Sequence, residues 1–503
     1  MSGSKLWRTG KRLRAGKFEV SNSILNCFLP RGAGRCASLY LLVPVLCSSG
    51  VAAAPDVQFT RLLNTLGDVR SSEPSPCGET LRKDWVGEVV RDWYLWNDEL
   101  ADVNPQDFAT AQQYLSALTE PLAADGRDPG FSYLTTRQED ESQFTSGAYI
   151  GFGFSSGVGS DGELFLADVF EGGPAWDAGF RRGMEVLEVD TGLGFETWDA
   201  LTQREATNLE VFGPSERGVR RGFRLLDGGD AILEVYVEKD ELDPPAIAGE
   251  PTLIDRPGQD PVGYLNFRQF TLSARLPLIS ASRNFLNEGI TDYVIDLRYN
   301  GGGLLSIADL MLDLLGGRLA DRQRSFYLSH NNWRSDYNAY EYFERFSESL
   351  DPLRFAFITT RVTASASELV INSLAPHVEV ALVGTDTRGK AVGQYPFDQP
   401  GCDARVRLVS FEILNGEGEG EYYNGLADTG RFTLCPAKDD LSKAFTDPQE
   451  DSLKTALAWL EEGACPATAA LEEAPRAWHR LQALPPWLLY TPDVPEKLHL
   501  RRH

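Results

Sequence analysis

The stretch that decides the fold reads Asp296-Leu297-Arg298-Tyr299-Asn300-Gly301-Gly302-Gly303 and closes an apolar run at 293–297. That run has the length of a buried strand, and residues 304–315 after it have helical periodicity. Further strand-like runs lie at 355–359 and 378–383, and a helical pattern at 367–374 follows the first of them. This alternation predicts a largely parallel, helix-covered sheet over about 261–465. In such sheets functional residues collect where the strands end.

Two segments with different sequence patterns precede this region. Between about 57 and 125, apolar and aromatic residues recur at helical spacing, in 81–100 and again in 107–122. The first of these segments carries a row formed by Trp85, Val89, Trp93 and Trp96, which we expect in a hydrophobic core, although a ligand platform is an alternative. From 149 to 239, short strand-like runs at 149–154, 164–169, 185–189 and 231–237 are separated by glycine-rich turns. This second pattern predicts a small β-rich domain.

The N-terminus is typical of an export signal. Eight Lys or Arg residues precede an apolar run at 37–46, and Val51-Ala52-Ala53 offers a cleavage site before Ala54. The run is too short to span a bilayer, so the pattern indicates a cleaved secretory signal. Lipidation of Cys47 is the alternative, although Leu46 stands where a small residue is preferred. We therefore expect an exported protein, in the periplasm or cell envelope, with a lipid anchor only under the second interpretation.

The charge balance excludes several classes of function. The chain of 503 residues has 48 Lys and Arg against 73 Asp and Glu, a net charge of −25. Removing residues 1–54, which hold eight basic residues and one Glu, leaves 40 against 72, or −32. Such a surface repels nucleic acids and anionic membranes. The five histidines form no ligand-spaced pair, so we do not expect a His-rich zinc site. A mechanism that uses a serine and a lysine, as considered below, implies no metal or organic cofactor.

Four cysteines remain after residue 54, and an even number in an exported chain predicts two disulfides. Cys402 and Cys435 bracket a segment rich in Gly and Asp, which favours pairing them with each other. Cys77 would then pair with Cys465 by elimination. Three pairings are possible, and this one is a hypothesis.

The strand predicted at 355–359 is followed by the segment Thr363-Ala364-Ser365-Ala366-Ser367-Glu368. Ser365 and Glu368 have the spacing of a helix capping box, which is a purely structural interpretation. A serine at a helix N-terminus is also well placed for nucleophilic attack, because nearby N–H groups can receive an oxyanion. His377, twelve residues after Ser365, is a poor general base because it lies at the far end of the same predicted helix.

The segment after the strand predicted at 378–383 contains Lys390. Between residues 240 and 437 the chain has sixteen Arg, and Lys390 is the single Lys. Burial can bring the pKa of a lysine towards neutrality, whereas arginine stays charged, so Lys390 is a candidate general base. Gln394, four residues later, can hold the amine without adding charge. Residues 384–391 resemble a phosphate-binding loop, but Ala391 lacks the magnesium-binding hydroxyl, and Gly393 and Pro396 would interrupt the required helix. The segment 151–157 likewise departs from the dinucleotide-binding fingerprint.

Together these motifs resemble the C-terminal processing (tail-specific) peptidase family of serine proteases. Its D-L-R-x-N-x-G-G-x-L motif is similar to 296–304, its S-A-S-E motif to 365–368, and its G-K-x-x-x-Q motif to 389–394. The resemblance implies Ser365 as nucleophile, Lys390 as base 25 residues later, and Gln394 as its support. It implies an oxyanion hole formed by the N–H groups of Gly302 and Ala366, with Gly301 or Gly303 as alternatives to Gly302.

The resemblance extends to the β-rich region, since family members carry a PDZ domain. Residues 174–183 match its P-A-x-x-A-G-x-x-x-G motif, and Met184 follows where Asp is usual. The resemblance implies a carboxylate-binding loop at Tyr149-Ile150-Gly151-Phe152-Gly153, which would bind the C-terminus of a substrate.

The expected architecture is therefore an α+β multidomain protein. Its parts are an export signal at 1–54, a helical region at 55–144, a PDZ domain at 145–240, an α/β serine peptidase core at 241–465 and a Pro-rich tail at 466–503. The expected activity is cleavage of protein or peptide substrates that have free C-termini. The alternative is a noncatalytic PDZ-bearing binding or scaffold protein on a protease-like fold, against which the joint presence of Ser365, Lys390 and Gln394 argues.

Overall fold

The computed structural model describes residues 77–158, 162–229 and 231–467. The export signal with Cys47, the first part of the predicted helical region and the Pro-rich tail therefore lie outside the described residues. Within the described part, no helix is both long enough and apolar enough to cross a membrane.

The described helices, in chain order, are α1 (Glu79–Trp93), α2 (Ala111–Leu118), α3 (Glu120–Ala124), α4 (Arg137–Ser146), α5 (Pro174–Asp177), α6 (Trp198–Gln203), α7 (Asn208–Phe212), α8 (Arg275–Asn287), α9 (Leu305–Gly316), α10 (Ala366–Leu374) and α11 (Asp451–Glu462). The strands of the first half are β1 (Tyr133–Thr135), β2 (Tyr149–Gly151), β3 (Phe154–Val158), β4 (Leu164–Val169), β5 (Glu185–Asp190), β6 (Phe195–Thr197), β7 (Arg220–Leu226), β8 (Ile232–Glu238) and β9 (Asp240–Leu242). Those of the second half are β10 (Thr252–Ile254), β11 (Val262–Asn266), β12 (Asp292–Asp296), β13 (Arg324–His330), β14 (Ala339–Tyr342), β15 (Arg354–Thr359), β16 (Glu379–Gly384), β17 (Val392–Asp398), β18 (Arg405–Asn415) and β19 (Thr433–Pro436).

The predicted parallel sheet forms the centre of the second half. Its six strands run β10-β11-β12-β15-β16-β19, and every neighbouring pair is parallel except β10 with β11. Helices α8, α9 and α10 cover one face, and α11 covers the other with Trp459. Burial on both faces explains why β12 reads as a continuous apolar run, with Tyr293, Val294 and Ile295 fully buried. This confirms the mixed α/β class expected from the alternation of strands and helices.

A second, antiparallel sheet was not foreseen from the sequence. It contains β1, β18, β13 and β14 in that order, with β17 also paired to β18. Strand β1 belongs to the N-terminal region, where Leu134 pairs with Val406 of β18. Helices α1 and α2 pack on the same sheet, so that Val90 and Leu115 share a core with Leu408. The N-terminal region is therefore neither wholly helical nor separate in its packing from the second half.

Several predicted helix and strand boundaries are wrong for local reasons. The helix expected at 81–100 ends at Trp93, because the chain becomes extended at Tyr94. The helix expected at 107–122 is divided into α2 and α3, with a break at Thr119 just before Pro121. The strand expected at 149–154 is interrupted at Phe152 and Gly153, where Gly153 has a φ of 91°.

The row of tryptophans in α1 and just after it lies at the edge of the core instead of its centre. Trp85, Trp93 and Trp96 are only partly buried against the cluster, whereas Val86 and Val90 have no exposed surface. The buried face of the helix is therefore rotated by one residue from the face that the aromatic spacing indicated.

The predicted disulfide pairing is wrong, although two disulfides are present. Cys77 is bonded to Cys402, and Cys435 to Cys465. The first joins the residues before α1 to the turn between β17 and β18, two segments 325 residues apart in sequence. The second joins β19 to the residues after α11, which packs beside that strand. Proximity in the fold therefore decides the pairing, and sequence separation does not.

The β-rich region forms a sheet with the order β3-β4-β5-β7-β8, to which β6 is added on β5. Its small hydrophobic core includes Phe152, Phe180 and Phe223. Strand β2 pairs with β9, and this pairing joins the beginning of the region to its end.

Candidate active site

The three chemically distinctive segments meet at one edge of the parallel sheet. In the register of the sheet, Asp296 at the end of β12 lies beside Ile358, and Thr359 at the end of β15 lies beside Gly384. The glycine turn follows the first strand, Ser365 the second and Lys390 the third. The carboxyl ends of neighbouring parallel strands thus bring together residues that are far apart in sequence.

Ser365 precedes α10 in a strained backbone conformation. Its φ is +57° and its ψ is −115°, which is unusual for a residue with a Cβ atom and is typical of functional sites. Its N–H donates to Glu368 Oε2 at 2.8 Å, as expected from the predicted capping box. Among the described residues, the N–H of Ala366 donates to no backbone carbonyl. That donor is therefore available beside the serine.

Glu368 ties the serine to the lysine. Its fully buried carboxylate accepts hydrogen bonds from Gly389 N at 2.7 Å and from Lys390 N at 2.9 Å, in addition to Ser365 N. Burial raises the pKa of this carboxyl to about 7, although these hydrogen bonds oppose the shift. One side chain therefore fixes the backbone of Ser365 and Lys390 relative to each other, a role that the capping pattern alone did not indicate.

The amine of Lys390 has an amide as its partner instead of an acid. Its Nζ donates to Gln394 Oε1 at 2.7 Å, and no carboxylate of the described residues is paired with it. Its surroundings desolvate the ammonium and lower the pKa of Lys390 to about 8. Asp128 and Glu368 oppose this effect electrostatically, while Arg407 and Arg388 add to it.

The glycine turn lies directly against the serine. Gly302 has a φ of 105°, and a Cβ atom there would lie 2.8 Å from Ser365 Cβ, so a larger residue would collide with the site. The N–H of Gly302 donates to Asn300 Oδ1 at 2.9 Å. The backbone oxygen of Asn300 accepts from Ala364 N at 3.2 Å and from Ser367 Oγ at 3.0 Å. The buried Asn300 thus fastens the turn to the segment that carries Ser365.

A buried ionic cluster lies at the strand end that precedes the glycine turn. Arg298, 1% exposed, is paired with Asp296, Asp439 and Glu450. Arg182 reaches Asp439 from the β-rich region at 2.5 Å. The cluster therefore connects the β-rich region to the strand end that precedes the glycine turn.

The predicted carboxylate-binding loop, 149–153, lies in the β-rich region and not on the sheet that carries the serine and lysine. The N–H groups of Phe152 and Gly153 donate to no backbone carbonyl within the described chain. Tyr149 folds its ring against Gly151, and the adjacent Ile150 is paired with Glu241 of β9. The loop takes no part in the serine–lysine arrangement.

Other sites considered from the sequence are not assembled. His377 follows α10 and packs edge-on against Phe343, with ring centroids 5.1 Å apart, well beyond the end of the helix opposite Ser365. Residues 384–391 lead into strand β17 and not into a helix, which removes the basis for a phosphate-binding loop. The described residues contain no group of three or more His, Cys, Asp or Glu placed to hold a metal ion.

Two contributors were missed in the sequence because they lie far from the motifs. Phe131 accepts a hydrogen bond from Gln394 Nε2 at 2.5 Å through its carbonyl oxygen, and its ring centroid is 5.0 Å from Lys390 Nζ. Asp128 holds the loop on which Phe131 lies. The Asp-Pro-Gly sequence at 128–130 signals a turn, but nothing local indicates that the turn faces the lysine.

Comparisons with known proteins match the segments that form this site. A model described as Peptidase family S41 matches residues 261–427, and one described as Peptidase S41 N-terminal domain matches residues 82–133. The carboxyl-terminal-processing protease of a Picosynechococcus species is 26% identical over 275 residues, which cover 53% of this chain and 61% of that protein. A protein of the same description from Synechocystis is 23% identical over 309 residues, which cover 61% of this chain and 67% of that protein. The chain thus spans about three fifths of the first relative and two thirds of the second.

Among solved structures, a protein from Bacteroides fragilis described as an S41 protease has the same fold. Its TM-score is 0.58 at 22% sequence identity, over 76% of this chain and 97% of that chain. The two family models together contain the glycine turn, Ser365, Lys390, Gln394 and Phe131. The resemblance to C-terminal processing peptidases is confirmed, since residues 82–133 and 261–427 match the two peptidase family S41 domains and the curated relatives are carboxyl-terminal-processing proteases.

Proposed function

We propose that this protein is a serine endopeptidase in which Ser365 is the nucleophile and Lys390 the general base. The observation that carries the proposal is the environment of Lys390. The amine is desolvated and is bound to the neutral amide of Gln394, while the backbone N–H of Lys390 is tied through the Glu368 carboxylate to the backbone N–H of Ser365. A lysine in this environment is partly neutral near pH 8, which is the state a base requires.

In the proposed mechanism, neutral Lys390 accepts the proton of Ser365 Oγ as the oxygen attacks the scissile carbonyl. The lysine then gives that proton to the leaving amine as the peptide bond breaks, which leaves an acyl-enzyme on Ser365. Lys390 next takes a proton from an attacking water, and the acid product leaves when the proton returns to Ser365 Oγ. Gln394 keeps the amine in place throughout and stays neutral.

The oxyanion is proposed to bind the N–H of Ala366 and one N–H of the glycine turn. Gly302 is the first candidate because it lies against Ser365. Its N–H is donated to Asn300 Oδ1 at 2.9 Å, so it would have to be shared with the oxyanion or reoriented on substrate binding. Gly301 and Gly303 remain the alternatives within the same turn.

The proposal extends to substrate selection and location. We assign residues 145–240 as a PDZ domain whose loop 149–153 binds the C-terminal carboxylate of a substrate. The N–H groups of Phe152 and Gly153, neither of which donates to a backbone carbonyl of the described chain, support this assignment. Export to an oxidising compartment is supported by the two disulfides, Cys77–Cys402 and Cys435–Cys465.

The test compares the purified protein with Ser365→Ala on an unfolded polypeptide that ends in apolar residues, and on the same polypeptide with an amidated C-terminus. We expect cleavage by the parent protein that disappears in Ser365→Ala, survives a metal chelator and weakens on the amidated substrate. Ser306→Ala is the matched control, since it removes an exposed hydroxyl from the first turn of α9. Equal cleavage by Ser365→Ala and the parent would show that Ser365 is only a helix cap.

A further inference from the structure

The orientation of the Gln394 amide is set from outside the peptidase core. Its Oε1 accepts from Lys390 Nζ at 2.7 Å, and its Nε2 donates to the carbonyl oxygen of Phe131 at 2.5 Å. A primary amide has one accepting end and one donating end. Because the Phe131 carbonyl occupies the donating end, the accepting oxygen faces the lysine. Without that carbonyl the amide could rotate and turn its NH₂ group towards the amine.

The position of Phe131 is itself fixed by a buried acid. Asp128, with no exposed surface, accepts from Phe131 N at 2.6 Å and from Ser132 N at 3.1 Å through Oδ1. Its Oδ2 accepts from Ser132 Oγ at 2.7 Å and from the hydroxyl of the buried Tyr94 at 3.0 Å. The loop 128–132 is thus anchored to the residue that follows α1.

The same loop is fastened to the strand beside Gln394. Ser132 Oγ accepts from Val409 N at 3.1 Å, and Val409 is the partner of Gln394 in the pairing of β17 with β18. The loop therefore contacts the sheet at two adjacent places, at Gln394 on β17 and at Val409 on β18. A loop that served only to connect α3 with β1 would need neither contact.

The ring of Phe131 also covers the amine. Its centroid is 5.0 Å from Lys390 Nζ and 6.0 Å from the guanidinium carbon of Arg388. The ring takes the place of water on that side of the ammonium, and its π face partly compensates the charge. The remaining charged groups that act on the amine are Asp128 on this loop, Glu368 on α10, Arg407 on β18 and Arg388 on the loop of Lys390.

We propose that the loop 128–132 of the N-terminal region is the positioning element of the general base. The backbone carbonyl of Phe131 orients Gln394, the ring of Phe131 shields Lys390 from water, and Asp128 with Tyr94 holds both in place. Phe131 is accordingly a positioning residue that acts through Lys390. The inference rests on the proposed function, in which Lys390 is the base.

The test measures the pKa of Lys390 in two independent ways in the full-length protein. One is the pH dependence of kcat/KM on the unfolded polypeptide. The other is the pH dependence of acylation of the Lys390 amine by a small anhydride, quantified by peptide mass spectrometry in the Ser365→Ala background. The second measurement needs no activity, so it separates failure of this inference from failure of the proposed function.

In Phe131→Ala we expect the pKa of Lys390 to rise by about one unit, because water reaches the ammonium. At a pH below the pKa of the parent enzyme, kcat/KM should fall about tenfold and recover at higher pH. Phe131→Leu keeps the apolar cover and the carbonyl but lacks the π face, so it should leave the pKa of Lys390 unchanged or lower it. Phe108→Ala, in the same region but packed against Tyr114, should change neither profile.

Tyr94→Phe provides a second perturbation that spares the ring, since it removes one hydrogen bond from Asp128. We expect a lower kcat with little change in KM. The inference is overturned if folded Phe131→Ala retains the parent acylation profile at Lys390, or, where that variant does not fold, if Phe131→Leu raises the pKa as an exposed lysine would. A shifted acylation profile with unaltered proteolysis would instead contradict the assignment of Lys390 as the base.

Discussion

Arg298 and Lys390 lie near the same edge of the central sheet, and the surroundings of these two cations are opposite. Arg298, at the end of β12, is 1% exposed and is enclosed by the carboxylates of Asp296, Asp439 and Glu450. Lys390, after β16, has an amide and an aromatic ring as its neighbours and no paired carboxylate among the described residues.

This difference distinguishes Arg298, whose charge is fixed, from Lys390, the proposed general base. Burial alone would lower the pKa of Arg298, but its three acids raise it well above the usual value and fix the charge. The pKa of Lys390 is instead lowered to about 8 by burial, because the charges of Asp128 and Glu368 compensate only in part for the lost solvation. A buried cation with full compensation stabilises a fold, whereas one with partial compensation can exchange its proton near neutral pH.

The largest effect is expected from Arg298→Met. Removing the cation leaves three buried carboxylates without it, and such a loss typically costs about 3–5 kcal/mol. Urea denaturation should show a correspondingly lower free energy of unfolding. Arg283→Met, which removes a 56% exposed guanidinium paired with Glu348, is the control and should cost less than about 1 kcal/mol. Equal losses in the two variants would contradict the structural role of Arg298.

A second variant, Gln394→Glu, gives Lys390 an acid like those around Arg298. The new carboxylate should raise the pKa of Lys390 by about 1–3 units, because an adjacent negative charge favours the ammonium. The acidic limb of the kcat/KM profile should move to higher pH by the same amount. Gln394→Met, which removes the hydrogen bond without adding charge, serves as control and should not move the limb upward. An unchanged limb in Gln394→Glu would argue against Lys390 as the titrating base.

Lys390→Met tests how much the desolvated ammonium of Lys390 lowers the free energy of unfolding. The folded-state pKa of about 8 lies below the ordinary value of 10.5, so the unfolded chain binds more protons between these two pH values. The free energy of unfolding of the parent should therefore rise with pH through this window. In Lys390→Met that rise should disappear, and at pH 7 the variant should be about 1–3 kcal/mol more stable. Urea denaturation at pH 7 and 10.5 measures both; a variant less stable than the parent at pH 7 would contradict this account.

The smallest effect is expected from Arg388→Gln. The guanidinium of Arg388 forms no ion pair within the described chain, and its charge helps to lower the pKa of Lys390. Its removal should raise that pKa by less than about one unit, because the two groups are not in direct contact. The acidic limb of the kcat/KM profile should shift slightly upward, and more so at low salt. A downward shift would show that Arg388 acts on the site in another way.

Much of the fold and of the candidate site was predictable because its signals are local. Apolar runs followed by helical periodicity predicted the parallel sheet, and β12, β15 and β16 begin within one residue of the predicted positions. The spacing of Ser365, Lys390 and Gln394 indicated the proposed site, because each residue follows the end of a strand and neighbouring strand ends meet. The assignment of their roles stays a proposal.

Other features depended on contacts that no local pattern records. Phe131 and Gln394 are 263 residues apart, Cys77 and Cys402 are 325 apart, and the acids around Arg298 come from three separate segments. The N-terminal region read as helical because its periodicity is helical, yet β1 pairs with a strand of the second half.

The sequence by itself therefore determined which residues are the candidates for catalysis and on which strand ends they lie, since hydrophobic periodicity and residue spacing are short-range properties. Only the tertiary structure decided what surrounds each group. The pKa of a buried cation depends on the solvent it loses and on the charges within a few ångströms, and at Lys390 these neighbours come from the N-terminal loop as well as from the peptidase core.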